Sequence, residues 1–346
     1  MDQTELYDLL KKLCEIPGPV GREEVVQSEL KKNWEHAGFK TRYDKIGNLY
    51  SQREGHGKHW AIIGHADSIG FLVQQILPNG FLKLAFNTAA TFPDARFLAG
   101  VPLRFITDKK QTVRGFFGLR SGHLAGIEGK KKPILFNELS VDIGVDSSED
   151  VENLGIHIGT PAVFDVPVQK FQDNIVGPSM DNRISGTLQC AIANSVNTMP
   201  DPPRITLIST VQEEIGLKGA AAAANQQYDF DGVINIDVGL CGDFPGSDKD
   251  NLDTKLGEGP IILYKDFSIH YTYQLIGKLE KKASKIGISM QRGVFKNYGT
   301  DGAQFIMHGF PTAMIAVPCR YTHTYFETIR INDLLNTLRL LLEVIK

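Results

Sequence analysis

The sequence predicts an α/β fold: a mixed, mostly parallel sheet flanked by helices, interrupted by an inserted small β-barrel domain. Buried strand runs alternate with amphipathic helices up to His65 and again from Gly186 to the end, the pattern of a sheet covered on both faces. Between about Ile69 and Pro167 that rhythm gives way to short strand-like runs separated by turn signals. The length of 346 residues suits two domains at roughly 150 residues each. The expected division is a discontinuous α/β domain of residues 1–68 and 168–346, with residues 69–167 as the insertion.

Leu6, Leu9, Leu10 and Leu13 form the i, i+3, i+4, i+7 stripe of a helix over residues 4–15, and Asp2 with Glu5 matches a capping box. Pro17-Gly18-Pro19 stops it. A second helix is expected from Glu23 to Ala37, with Val26, Leu30 and Trp34 inward and Gly38 as its stop. Phe39–Tyr43 and Leu49–Arg53 form a hairpin, and Trp60–Ile63 is a buried strand ending at Gly64-His65. In the insertion, strands are expected at Phe71–Gln75, Gly80–Leu84, Leu103–Thr107, Thr112–Leu119, Ser140–Ile143 and Pro161–Val166, with one short helix near Glu149–Leu154. Such a series builds a small barrel or sandwich, and a barrel is the form expected here. Helices are then expected at Gly186–Asn197, Lys218–Asn225, Ile269–Ile286 and Ile331–Ile345. Strands are expected at Arg204–Val211, Gly232–Val238 and Thr312–Val317.

Composition narrows the classes. Lys+Arg is 37 and Asp+Glu is 40, a net charge of −3, which argues against a nucleic-acid binder that must neutralise phosphates. No run approaches the ~20 apolar residues of a membrane span. The start, Met-Asp-Gln-Thr-Glu, lacks the basic and apolar regions of a signal peptide. Cys14, Cys190, Cys241 and Cys319 are scattered without a C-x-x-C pair, so reduced thiols and a cytoplasmic location are expected.

Five segments follow or end predicted buried strands: Gly64-His65-Ala66-Asp67, Ser179-Met180-Asp181-Asn182-Arg183, Gln212-Glu213-Glu214-Ile215-Gly216, Ile236-Asp237-Val238 and Tyr321-Thr322-His323. Ligands gather at the carboxyl ends of strands in open α/β sheets, so these distant segments can converge. They offer two imidazoles and several carboxylates but no thiolate, a donor set of catalytic divalent-metal sites. Each has a bland alternative. Asp237, inside the apolar run Val233–Val238, is costly unless paired or metal-bound, and an ion pair or helix cap would serve. Glu213-Glu214 could be a solvated charge pair. On an extended segment, however, neighbours point opposite ways, so one Glu can ligate while the other addresses a bound water. His65 with Asp67 two residues on suits a metal ligand oriented by a carboxylate.

The segments in order resemble the TET-type aminopeptidase family of cytosolic dinuclear-metal metallopeptidases, which includes glutamyl, leucyl and deblocking aminopeptidases. The resemblance runs from Ile16-Pro17-Gly18 through Ile175-Val176-Gly177, Gly242-Asp243-Phe244-Pro245-Gly246, Lys255-Leu256-Gly257 and Gly299-Thr300-Asp301 to Pro311-Thr312-Ala313 and Arg320-Tyr321-Thr322-His323. It implies a zinc-peptidase-like catalytic domain and two divalent metal ions per subunit, with zinc, cobalt or manganese all compatible. His65 and Asp237 would hold one metal, Glu214 and His323 the other, and Asp181 would bridge them. Glu213 would be the general base acting on a metal-bound water, and Asp67 would orient His65. The implied substrates are short peptides cut at their N-terminal residues. The implied assembly is a homo-oligomer in which dimers, formed through the inserted domain, build a dodecamer.

The chain departs from the family pattern at two places. Asn182 stands where a second Asp is usual, and Ser68 where Glu is usual. The peptide bond after the bridging Asp is cis in that family, which the sequence leaves open here. His123 falls at a family-like position within the insertion. Gly242–Gly246 and Gly299–Gly302 are expected to line the substrate pocket, and Lys130-Lys131-Lys132 to be a solvated loop. Two other functions compete: a glycosidase, motivated by the carboxylate pairs, and a non-catalytic assembly protein that has kept the fold. A glycosidase needs two carboxylates about 5–9.5 Å apart across the scissile bond, whereas here two metals would engage them.

Overall fold

The computed structural model describes residues 1–89, 93–109, 111–129, 131–247 and 252–346. Lys130, the first of the three lysines expected in a solvated loop, lies outside them, and Lys131 and Lys132 are exposed. The described residues form two compact units. One comprises Met1–Ser68, Val168–Thr322 and Phe326–Lys346, the other Ile69–Pro167 with His323–Tyr325.

The first unit opens with α1 (Gln3–Glu15) and α2 (Glu24–His36). The Asp2 side chain accepts from the Thr4 and Glu5 amides while Glu5 returns a bond to the Asp2 amide, a complete capping box. Leu6, Leu10 and Leu13 of α1 and Val26, Leu30 and Trp34 of α2 are buried; each such leucine contributes about 1.5–3 kcal/mol. The hairpin is β1 (Lys40–Tyr43) with β2 (Leu49–Arg53), followed by β3 (His56–His65).

The second unit holds β4 (Phe71–Ile76), β5 (Leu82–Phe86), β6 (Pro102–Ile106), β7 (Thr112–Gly118), α3 (Gly122–Gly129), β8 (Ser140–Asp142), α4 (Ser148–Asn153) and β9 (Pro161–Phe164). Its strands close a barrel in the order β4-β5-β8-β7-β6-β9, all antiparallel. The interior is aromatic: the Phe71 ring lies 5.1–6.2 Å from those of Phe86, Phe117, Phe136 and Phe164. The helix α3 is absent from the sequence pattern because Gly126, at φ 66°, kinks it after a single turn.

The first unit resumes with β10 (Gln169–Phe171), β11 (Asn174–Gly177), α5 (Met180–Asn197), β12 (Pro203–Thr210), α6 (Lys218–Ala224) and β13 (Gly232–Leu240). It continues with β14 (Ile261–Lys265), α7 (Tyr273–Lys285), β15 (Gln291–Val294), α8 (Gly302–Met307), β16 (Thr312–Cys319), β17 (Glu327–Arg330) and α9 (Ile331–Ile345). Eight strands form one mixed sheet in the order β1-β2-β12-β3-β13-β16-β14-β15, and β10-β11-β17 form a small antiparallel sheet. The centre of the large sheet, β12-β3-β13-β16, is parallel throughout. Beyond the exposed start of β3 these strands are mostly buried, as strands covered on both faces must be. The helix expected from Ile269 begins only at Tyr273, because the Asp266 carboxylate accepts from the Ser268 and Ile269 amides and holds a turn there. No helix among the described residues is long and apolar enough to cross a membrane, and all four cysteines are free and buried.

Candidate active site and metal centre

The parallel register sets the site. Thr210 of β12 pairs with His65 of β3, and β3 pairs in turn with β13. The carboxyl ends of three neighbouring strands therefore deliver His65, Asp67, Glu213, Glu214 and Asp237 to one edge of the sheet. Asp181 arrives at the start of α5, which packs directly on β3. A Cβ added to Gly64 would lie 2.4 Å from the Ser185 Cβ and 2.9 Å from the Ile236 carbonyl, so only glycine permits the approach. The Asp181–Asn182 peptide is cis.

His65 is the hub. Its Nδ1–H donates to the Asp67 carbonyl at 3.1 Å, which directs the Nε2 lone pair towards the carboxylates. Nε2 lies 3.1 Å from Asp181, 3.9 Å from Asp237 and 4.0 Å from Glu213. Asp67 does more than orient the ring. Its carboxylate lies 3.5 Å from Nδ1 and accepts from the backbone amides of Glu213 and Glu214, each at 3.0 Å. It therefore fixes the turn that presents both glutamates. Ligand atoms within 4.8 Å of one another form three groups: His65–Asp181–Asp237, Asp181–Glu214–His323 and His65–Glu213–Glu214. Six of the seven residues singled out in the sequence fall in these groups, and Asp67 adjoins them through His65 and the two glutamate amides. His123 is exposed on α3 and belongs to no such group among the described residues.

The electrostatics fit divalent cations. Burial pushes the Asp237 carboxyl up and Asp181 beside it adds to the rise, with His65 opposing. Burial likewise pushes Glu213 up; His65 opposes, while Glu214, Asp301 and Asp237 add to the rise. Burial alone would lower His65, but Glu213, Asp181, Asp67 and Asp237 outweigh it and raise it. Cations among these donors would relieve both the desolvation and the mutual repulsion. Four of the six described non-glycine residues at positive φ are Ser179, Gln212, Tyr321 and His323, next to or among the candidate ligands, where strained backbone is commonly retained for function.

Two departures from the family pattern acquire reasons. The Asn182 side-chain amide donates to the Ile236 carbonyl at 2.9 Å, tying α5 to the residue before Asp237, a bond no carboxylate could make. The Ser68 hydroxyl and amide both donate to the Gly18 carbonyl. Some supporting residues escaped sequence reasoning. Glu327 accepts from the Asp181 amide at 3.1 Å; an acid opening a buried strand was the available signal. Asp301, buried within what reads as a glycine turn, accepts from the Thr210 hydroxyl. Arg183 is fully buried and donates to the carbonyls of Leu13, Ala66, Ile16 and Gly18. It thereby pins the residue before Asp67 to the segment after α1.

A mixed sheet whose strand ends gather imidazoles and carboxylates offers the donor set of a catalytic divalent-metal site. Residues 47–340 match the M42 glutamyl aminopeptidase family, and the chain belongs to it. It is 31% identical to FrvX of Escherichia coli over 325 residues, 91% of this chain and 88% of that one. It is 28% identical to the lysyl aminopeptidase of Pyrococcus furiosus over 351 residues, 98% of this chain and 97% of that one. The fold matches the Pyrococcus horikoshii TET1 peptidase, which assembles into a tetrahedron or a large octahedral shell, with a TM-score of 0.88 and 29% identity over 98% of each chain. Metal-dependent aminopeptidase activity follows from this membership, and the glycosidase and non-catalytic readings are not favoured.

Proposed function

We propose that this chain removes N-terminal residues from short peptides at a dinuclear metal centre, with Glu213 as general base. The observation that carries the proposal is the sharing of Asp181 between two ligand groups, one with His65 and Asp237, the other with Glu214 and His323. When bound there, two divalent cations would polarise the scissile carbonyl and acidify the attacking water. Zinc is the preferred reading, and cobalt or manganese suit the same nitrogen and oxygen donors. Glu213, its carboxyl raised by burial, takes the proton from the water and returns it to the leaving amine. Asp67 holds the Glu213 and Glu214 amides and so sets the direction of the base. His65 is held in one tautomer by the Asp67 carbonyl.

The inserted unit is proposed as the oligomerisation surface. Seven of the seventeen large apolar side chains exposed among the described residues belong to it, Leu124 and Ile127 the most exposed of the seven. Dimers assembling into a dodecamer are the proposed form, supported by the dodecameric TET1 of the related structures. The free, buried cysteines support a cytoplasmic setting. The test is a panel of aminoacyl-anilides assayed with chelator and with zinc, cobalt or manganese restored. Loss of turnover on chelation and its recovery with metal is the expected outcome; turnover indifferent to chelation would defeat the proposal.

A further inference from the structure

A groove of about 540 Å³ opens between α7 and the end of α9, with Trp60 of β3 and Ile234 of β13 in its lining. It sits towards the amino-terminal ends of those strands. Trp60 is five residues before His65, about 16 Å along an extended chain, so the groove is separate from the candidate active site and rests on no part of the proposed reaction. Its floor includes Trp60, Leu275, Leu279 and Val344, all buried.

Lys58, Lys278, Lys281, Lys282, Lys285 and Lys346 rim the groove. Their stems extend its apolar wall while the ammonium heads reach water. Two side-chain carboxylates answer these six lysines. Glu343 pairs with Lys285 at 2.9 Å and with Lys282 and Lys346 at 3.5 Å each, and Asp231 acts on Lys278 from a distance. The Lys58 ammonium crowds that of Lys278 and holds it below the ordinary lysine value. Like charges placed this close are unfavourable until an anion joins them. Apart from the lysines and the Trp60 indole, the lining side chains are apolar. A nucleotide or sugar would leave many polar groups unpaired there. A chain with one charged end would not, and the volume falls in the range of small-ligand sites.

We propose that this groove binds a free medium-chain fatty carboxylate, its alkyl chain on Trp60, Leu275 and Leu279 and its head group at Lys58 and Lys278. Trp60 supplies the readout, since the second tryptophan, Trp34, is fully buried on α2. The full chain is titrated with decanoate below its micellar concentration, and tryptophan emission is followed. Saturable binding is expected, weakened roughly tenfold or more for decanol and for the Lys58→Ala/Lys278→Ala variant. Both lysines are exposed, so the variant should keep wild-type peptide hydrolysis, which reports that it is folded. The absence of a saturable signal would overturn the proposal. So would equal affinity for decanol, unchanged affinity in the variant, or a response to anionic vesicles alone.

Discussion

The two units treat buried polarity in opposite ways. Among the described residues of Ile69–Pro167 in the barrel unit, the buried polar side chains are Asn87, Thr88, Thr107 and Thr160, none of them ionisable. The α/β unit buries His65, Asp67, Asp181, Asp237, Asp301, Glu327 and Arg183 among others. Buried charge is costly unless something compensates it, so its concentration in one unit marks where chemistry is performed. The barrel instead spends its unusual residues on the outside, as exposed Leu124, Ile127, Leu135 and Ile158.

That contrast can be broken most forcefully at Glu213. Replacing it with Gln is expected to lower turnover about 10²–10⁴-fold while metal content and thermal midpoint stay near wild type. A variant that retained turnover would move the base elsewhere. Gly64→Ala tests whether the α/β unit needs its close helix–strand contact. With Ser185 2.4 Å from the new methyl, a loss of about 1–3 kcal/mol in denaturant unfolding is expected, with turnover reduced because Asp181 shifts relative to His65.

A subtler effect is expected at Glu23. Burial, with Asp67 adding, pushes its carboxyl up to about 7. The folded state therefore binds the proton more tightly than the unfolded chain. The associated stability is present below the ordinary carboxylate value and is lost as pH rises through about 7. Glu23→Gln should thus gain on wild type between pH 4.5 and 8, by on the order of 1–3 kcal/mol in urea midpoints converted to free energy. A flat difference across that range would show that Glu23 titrates normally. The smallest effect on catalysis is expected from Leu124→Ser/Ile127→Ser on the barrel. Monomer stability should change by no more than about 0.5 kcal/mol per site and turnover little, while light scattering reports a smaller assembly. An unchanged mass would remove this face from the oligomer contacts.

What could be read from the sequence was what is local. The α1 stripe and its capping box need only neighbours within one turn; His65 stands out because it ends an apolar strand run and Asp237 because it lies within one. The short strands β10, β11, β14, β15 and β17 had no such signature, since pairing with distant partners defines them. The same holds inside the site. That Asp67 belongs with His65 is visible at a spacing of two. That its carboxylate binds the Glu213 and Glu214 amides depends on the register of β3 against β12, 146 and 147 positions away in the chain. The role of Asn182 was hidden likewise, because its partner, the Ile236 carbonyl, is carried by another strand.

The chain leaves the α/β unit at Ser68 and returns at Val168, and both ends of that gap are sewn to one short stretch. The Ser68 amide donates to the Gly18 carbonyl at 3.0 Å and the Val20 amide to the Ser68 carbonyl. The Val168 amide donates to Glu15, and Lys11 donates to the Val168 carbonyl. Residues 11–20 thus act as a suture that holds the two cut ends whatever lies between them. The inserted domain is in this sense an exchangeable cassette: its length and surface can change in evolution while Asp67, one residue inside the seam, keeps its hold on the Glu213 and Glu214 amides.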